Sequence, residues 1–365
     1  MNVCIIGGGL TSLTLAKILI NKKIDVHICQ KNIKNNFPKT RTLGISQDNL
    51  KYIEKEIQTI PKKNLWRINK IEIFSEKLSK DKILNFEKKK DDLFYIIKNN
   101  ILHKLLTNKL SKSKFYSKEI IKNNTFYKKI LKENKYNLII NCDAKNIITK
   151  KYFLKKIDKK YDNFAYTTIL THQKIKNNTA IQIFSKHGPI AFLPISNTET
   201  SVVYSVDVTK NICDKEKIIN LIKKHNPKYI IKKISNLNKF ELKSSNLRNY
   251  YHKNVVAFGD CLHKIHPLAG QGFNMTIRDI KAFSNIIENR INLGLQLDTS
   301  ILEEFEKKTK HINFIFSSGI DFIYEFFNFN KDIENKNLNR VLKFIGKNKT
   351  FTNLLVKYAD KGIEI

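Results

Sequence analysis

The chain opens on "NVCII", residues 2–6, a short apolar run that ends in Gly7-Gly8-Gly9. The next stretch, "LTSLTLAKILINKK", carries apolar residues at helical spacing, and "IDVHICQ" reads as a second strand. A strand, a glycine turn, a helix and a strand in that order constrain the fold more than any other part of the sequence. They form a βαβ unit, whose parallel strands need the helix as a crossover, and they predict an α/β chain. Gly7-x-Gly9-x-x-Ser12 nearly matches the dinucleotide fingerprint. In that pattern the first Gly makes the tight turn, the second admits a pyrophosphate, and the last small residue, here Ser12, lets helix and strand pack closely. The helix start near Leu10 offers free amides and a positive dipole end to a phosphate. At the end of the second strand, where an acidic residue would hold ribose hydroxyls, stands Gln30. Its carbonyl accepts one hydrogen bond without the strength of a charge. The plainer reading of the same turn is a tight β–α connection with no cofactor.

Further along, "LFYIIKNNILHKLLTNKL" (93–110) predicts a strand end running into an amphipathic helix, and "YNLIINCDA" (136–144) a buried strand. Between 160 and 206 the pattern changes to alternating β-rich stretches separated by polar turns, which predict a mostly antiparallel sheet. "NVVAFGD" (254–260) returns to a buried parallel-type strand, a helix restarts at 274–290, and 300–365 read as helical. The predicted order is discontinuous. Residues 1–66, 93–158 and 248–290 make a Rossmann-like nucleotide-binding domain, interleaved with a mostly antiparallel β-sheet substrate domain from 67–92 and 159–247. Residues 291–365 form a C-terminal helical region.

"GDCLHKIHPLAGQGFNM", residues 259–275, concentrates Gly and Pro in a chain that has 12 Gly and 6 Pro in all. Asp260 follows a buried strand and a Gly, where a carboxylate can accept hydrogen bonds from the hydroxyls of a ligand lying across the strand ends. Pro267 fixes the chain and removes one amide donor. Gly270-Gln271-Gly272 lets the backbone lie close against a flat ligand before the helix near Asn274. Free amides at that helix start can stabilise negative charge on a ring. The bland alternative is a glycine loop from strand to helix, with Asp260 as an N-cap and His263 and His266 exposed.

The pattern Gly259-Asp260-x-x-His263-x-x-His266-Pro267-x-x-Gly270-Gln271-Gly272-x-Asn274 strongly resembles the second FAD motif of the flavin-dependent aromatic hydroxylases. The match is nearest to the ubiquinone-biosynthesis hydroxylase family, whose fold is similar to that of para-hydroxybenzoate hydroxylase. This resemblance implies FAD, with Asp260 on its ribityl chain and the segment Pro267, Gly270, Gln271, Gly272, Phe273 and Asn274 along the isoalloxazine ring. "RTLGIS" (41–46) resembles a family segment that puts Arg41 near the FAD phosphates, and Asn99 matches the residue that opens a helix along the cofactor. "AIQIFSKHGPIAFLPI" (180–195) is similar to the strand that covers the substrate pocket, and "LEEFEKKTKHINF" (302–314) and "YADKG" (358–362) also resemble family positions. The family's Gly-Ala-Asp-Gly near the pyrophosphate is here Asn141-Cys142-Asp143-Ala144, which keeps Asp143 and replaces both Gly.

The implied reaction is hydroxylation of the ring of a polyprenylated phenol in ubiquinone biosynthesis, through a flavin hydroperoxide. Molecular oxygen is the co-substrate, and NAD(P)H or another electron donor the reductant. No side chain is assigned the chemical step; Pro267 and Gly270 line the flavin face. Two alternatives stand beside this reading. One is a related flavoenzyme acting on another aromatic or a prenyl substrate. The other, motivated by Gln30 and Ala144, is a non-catalytic flavin-fold subunit of a quinone-biosynthesis complex. A prenylated substrate partitions to the bilayer, so peripheral membrane contact and other quinone-biosynthesis proteins are expected partners. Phe314, Phe316, Ile323, Phe326 and Phe327 are candidate contacts, although packing of these side chains into the core is the favoured expectation.

The net charge of +34 would suggest nucleic acid, but only six of the 67 basic residues are Arg. Base-reading interfaces favour Arg forks, so the charge reads as a solvated lysine coat and no nucleic-acid partner is expected. The five Cys form no CxxC pair and no metal-like spacing, and Cys4, Cys29 and Cys142 read as small buried hydrophobes. His263 and His266 have no third ligand in sight, so no metal site is expected and a histidine hydrogen-bonded to the loop backbone is the better reading. No uncharged apolar run reaches the ~20 residues of a membrane span. With the first strand beginning at Asn2, a signal peptide is not expected either. The expectation is a cytoplasmic protein, peripheral at most at the inner face of the membrane.

Overall fold

A computed structural model describes residues 1–31, 40–76, 82–87, 92–133, 135–207, 214–332 and 356–362. Its first sheet has six strands in the spatial order Tyr251–His252, Val255–Ala257, Leu138–Asn141, Asn2–Ile6, Asp25–Lys31 and Tyr116–Ile121. All neighbours are parallel except the hairpin of the first two. The central strands are buried along nearly their whole length, as parallel strands covered on both faces must be. The helix Leu10–Asn21 buries Leu13, Leu15, Ile18 and Leu19 and packs against the helices Asn99–Leu110 and Gly272–Asn292. The sequence therefore builds the cofactor-type sheet from three separated stretches.

The second sheet holds the strands Lys156–His172, Thr179–Ser185, Gly188–Pro194, Glu199–Asp207 and Asn238–Leu247, extended by Lys70–Ser75 and Lys82–Glu87. Its pairings are antiparallel except that Thr179–Ser185 runs parallel to Lys70–Ser75. Tyr166, Phe192, Tyr204, Ile218 and Ile222 fill a core of its own under the helix Lys215–Lys224. A third, three-stranded sheet of Thr42–Ser46, Phe94–Lys98 and Trp66–Ile68 sits between the two. These strands are three to five residues long and carry no clear alternation, so sequence reading did not separate them as a sheet.

Two features tie the units together. His263–Lys264 pairs with Ser245 and Asn246 of the large sheet, so the chain leaves the parallel sheet at Ala257 and joins the other within a few residues. The helix Ser300–Asp332 then spans about 50 Å. It anchors on the first unit through the stacked rings of Phe305 and Phe258, and on the second through Asn246 Nδ2 donating to Ser317 Oγ and Ser244 Oγ to Asp321 Oδ2. The aromatic stretch on this helix divides in two. Phe314 and Ile323 face solvent, whereas Phe316 packs under the Arg278 guanidinium at 4.2 Å and Phe326 joins Phe184 and Leu84. The side chain of Phe327 lies outside the described residues.

Candidate flavin site

Gly7 N donates to Cys29 O and Cys142 N to Ile6 O, both at 2.8 Å, which puts the glycine turn at the crest of three parallel strands. The helix behind it starts at Gly9 with no side-chain cap, so its first amides are unclaimed. A side chain built at Gly9 would meet nothing within 4 Å; the space over the turn is open. Ser12 Oγ is buried under the turn, beside the Cys142 thiol. Gln30 folds over the turn, its Oε1 standing 2.2 Å from where a Cβ on Gly8 would lie. His103, from the helix Asn99–Leu110, donates Nε2–H to Gly8 O at 3.0 Å, and burial holds its imidazole below the ordinary pKa and so neutral. Asn99 N donates to Arg41 O, and the buried Asn99 Oδ1 has no partner among the described residues. Arg41 itself is exposed.

The strand Val255–Ala257 delivers the second motif to the same place. Gly259 has φ +61°, and a Cβ there would lie 2.7 Å from Thr11 Oγ1. Only glycine lets this strand end cross the first turn of the helix Leu10–Asn21. Asp260 follows and is exposed, next to the glycine turn. Pro267 leads into a single 3-10 turn, Leu268–Gly270, and Gly270 at φ +65° brings its backbone against Gly44 of the third sheet. The helix Gly272–Asn292 starts after Gln271 with no side-chain cap, leaving amides open at its end. Phe273 packs on the main core.

Asn274 is a buried clamp. It accepts from Ser46 N at 3.0 Å, donates to Gly44 O at 3.0 Å and accepts from Asn49 Nδ2 at 3.1 Å. Its side chain is spent on the protein, so any service to a cofactor comes from holding the strand Thr42–Ser46 against Gly270. Asn274→Ala leaves a buried N–H and C=O unpaired; we expect a loss of about 2 kcal/mol of stability, read as a lower urea midpoint at unchanged slope.

The two histidines depart from expectation. Neither is exposed: His263 is 3% accessible and His266 1%. His263 Nε2 pairs with the buried carboxylate of Asp279, not with the loop backbone, and Asn313 Nδ2 donates to the same carboxylate at 2.8 Å. His266 stacks on Tyr324 at 4.2 Å and meets the edge of Tyr161 at 5.1 Å. Tyr161 OH donates to Asp321, and Asn163 Nδ2 to Tyr324 OH. Burial first, and Asp321 next, push the Tyr161 phenol far up, so it stays protonated. This aromatic wall joins loop, large sheet and long helix. Asp279, Asn313, Tyr161 and Tyr324 carry no local sequence signal, because their partners are far away in the chain.

The replaced glycines have a structural explanation. Asn141 Nδ2 donates to Thr149 Oγ1, and its Oδ1 accepts from Asn146 Nδ2 and Asp143 N, which knots the loop internally. Asp143 Oδ1 accepts from Lys145 N. Burial raises the Cys142 and Cys261 thiols beside this loop to about 12 and about 11, so neither is a thiolate nucleophile.

These segments fit FAD. Two uncapped helix starts, the open face at Gly9, the buried Asn99 Oδ1 with no partner among the described residues, and an exposed Asp260 are the groups that would hold it. Comparison with known proteins agrees. The FAD binding domain family matches residues 146–293, the part that contains the second motif. The chain is 22% identical to the ubiquinone biosynthesis monooxygenase COQ6, mitochondrial, of Dictyostelium discoideum, over 89% of this chain and 84% of that protein. It is 29% identical to the 3-demethoxyubiquinol 3-hydroxylase of Escherichia coli over 41% of this chain and 40% of that one. Its fold matches the p-nitrophenol 4-monooxygenase PnpA of Pseudomonas putida with a TM-score of 0.77 at 12% identity, covering 100% of this chain and 98% of that one. Klebsiella pneumoniae HpxO, solved with FAD and uric acid, matches with a TM-score of 0.71 at 10% identity over 98% of this chain and 96% of that one.

Fold and site together define an FAD-dependent aromatic monooxygenase. Within that class the chain is similar to the monooxygenases of ubiquinone biosynthesis.

Proposed function

We propose that this chain hydroxylates the ring of a polyprenylated phenol on the way to ubiquinone, inserting one atom of molecular oxygen. The observation that carries the reading is the Gly259–Asn274 loop, which keeps every motif residue and is stitched to both the parallel sheet and the large sheet. FAD, when bound, supplies the redox chemistry and takes electrons from NAD(P)H or another donor. The chain supplies position and surroundings. Asp260 would accept from ribityl hydroxyls, the Gly9 turn and Arg41 would take the pyrophosphate, and the amides at Gly272 would donate to the ring. Gln30 offers its carbonyl to the ribose, and Asp143 closes the loop beside it. Pro267 and Gly270 would present bare backbone to the flavin. The strand Gly188–Pro194 shields the substrate side from water, and the wall of Tyr161, His266 and Tyr324 is rigid enough to orient an aromatic ring.

A prenylated substrate resides in a bilayer. Among the described residues no helix is long and apolar enough to cross a membrane. Access at the membrane surface is supported by Phe314, Ile315, Phe322 and Ile323, exposed on the long helix of a lysine-rich chain. The test is turnover of a prenylated phenol with FAD and NAD(P)H under heavy-isotope oxygen gas. One heavy oxygen in the product is expected. Oxidation of NAD(P)H with no oxygenated product, or oxygen taken from water, would refute the assignment.

A further inference from the structure

A second cluster of chemically capable side chains lies outside the flavin crevice. Cys4 stands opposite His27 in the register of strands Asn2–Ile6 and Asp25–Lys31, and Cys29 opposite Glu119 of the edge strand Tyr116–Ile121. Paired residues, and residues two apart on one strand, share a face, so all four side chains leave the sheet on the same side. The ligand atoms of His27, Cys29 and Glu119 lie within 4.8 Å of one another. Cys29 Sγ is 3.8 Å from His27 Nδ1 and 3.7 Å from Cys4 Sγ, and His27 Nε2 is 3.4 Å from Glu119 Oε2. Ligands on a tetrahedral ion with bonds of ~2.0–2.3 Å stand roughly 3.3–3.8 Å apart; with His27 binding through a single ring nitrogen, the three ligand atoms, all within 4.8 Å of one another, reach that spacing by a small side-chain adjustment.

The surroundings favour the same use. Tyr136 OH hydrogen-bonds His27 Nδ1 and fixes the ring, as the outer partner of a metal-bound imidazole does. Cys4 donates its S–H to Cys29 Sγ, a contact that holds the Cys29 side chain in place. Glu119 is half exposed and opens the cluster to solvent, while Cys4 and Cys29 are fully buried. A disulfide is a poor alternative. Cys4 and Cys29 sit on adjacent strands, offset by two residues, so strand spacings of ~4.8 Å and ~3.3 Å per residue put their Cα atoms about 8 Å apart. That exceeds the roughly 7 Å a disulfide can bridge without backbone movement.

We propose that Cys29, His27 and Glu119 bind one divalent cation of the zinc class, with Cys4 and Tyr136 orienting the ligands and a fourth position open to water. The ion links the two strands that carry Cys29 and Glu119. Since Gln30 follows Cys29 directly, it also steadies the end of the strand beside the glycine turn.

The test is Zn²⁺ titration of the purified full chain loaded with FAD, with metal counted by native mass spectrometry. One Zn²⁺ per chain is expected, and thermal stability rises on its addition. Cys29→Ser and Glu119→Gln each weaken binding at least ten-fold, Tyr136→Phe weakens it about ten-fold, and His252→Gln, at an exposed imidazole elsewhere, leaves it unchanged. Co²⁺ gives a thiolate charge-transfer band in the parent chain that Cys29→Ser abolishes. Glu119 is at the solvent edge, so Glu119→Gln stays folded and its loss of metal is specific to the site. Absence of stoichiometric Zn²⁺, binding indifferent to Cys29→Ser or Glu119→Gln, or recovery of a Cys4–Cys29 disulfide in place of metal binding overturns the proposal.

Discussion

Asp260→Ala lowers FAD affinity by about 100-fold, on the order of 3 kcal/mol, while the unfolding midpoint of the flavin-free chain moves little. The asymmetry follows from where the carboxylate stands. Asp260 is exposed, and the backbone around it is fixed by other residues: Phe258 N bonds Asn141 O, Leu262 N bonds Gly259 O, and Gly259 rests on Thr11. Removing an exposed carboxylate that holds nothing together changes stability by a few tenths of a kcal/mol. Losing two charge-assisted hydrogen bonds to ligand hydroxyls costs about the affinity stated. Equilibrium titration of flavin fluorescence on the refolded or flavin-stripped chain reads the first effect, and calorimetry of the same sample the second. Unchanged FAD affinity would remove Asp260 from the site.

His263→Ala has the opposite signature. It strands the Asp279 carboxylate, 1% accessible, with the Asn313 amide still donating to it. Removing the partner of a buried carboxylate typically costs about 3–5 kcal/mol, because a desolvated charge is left behind. At roughly 1–2 °C per kcal/mol for a chain of 365 residues, the melting temperature falls by about 5 °C. Combining His263→Ala with Asp279→Asn restores part of that loss, since an amide is less costly to bury than a lone carboxylate. If the single variant melts within a degree or two of the parent, the pair contributes nothing to the fold and His263 needs another role.

The contrast between these two residues shows what the sequence could reveal. Asp260 and the glycines beside it are placed by backbone and local spacing, which is why one short stretch singled them out. Gly7, Gly9 and Ser12 were legible for the same reason: the turn they form is local, between one strand and the next helix. His263 and His266 sat in that same stretch, yet their burial was invisible, because Asp279 lies a helical turn or more into the next helix and Tyr161 and Tyr324 come from distant segments. Asn274 shows the same limit. Its position in the motif was plain, but its bonds to Gly44, Ser46 and Asn49 depend on a strand more than two hundred residues earlier. The Cys4, His27, Cys29 and Glu119 cluster was hidden entirely, since parallel pairing sets three remote segments side by side without leaving any spacing rule in the chain.

The departures at Gln30 and at Asn141 through Ala144 are also easier to weigh. Gln30 covers the glycine turn with an acceptor in place of a charge, and Asn141 ties its loop with side-chain hydrogen bonds where glycines would leave it to backbone freedom. Neither fills the space over Gly9. The turn at Gly9 therefore stays open.

The most direct test of this account is the flavin content of the purified, unmodified chain after incubation with FAD and removal of the excess. One FAD per chain, retained through gel filtration and lost in Asp260→Ala, is the predicted result. A chain that remains folded and takes up no FAD would contradict it.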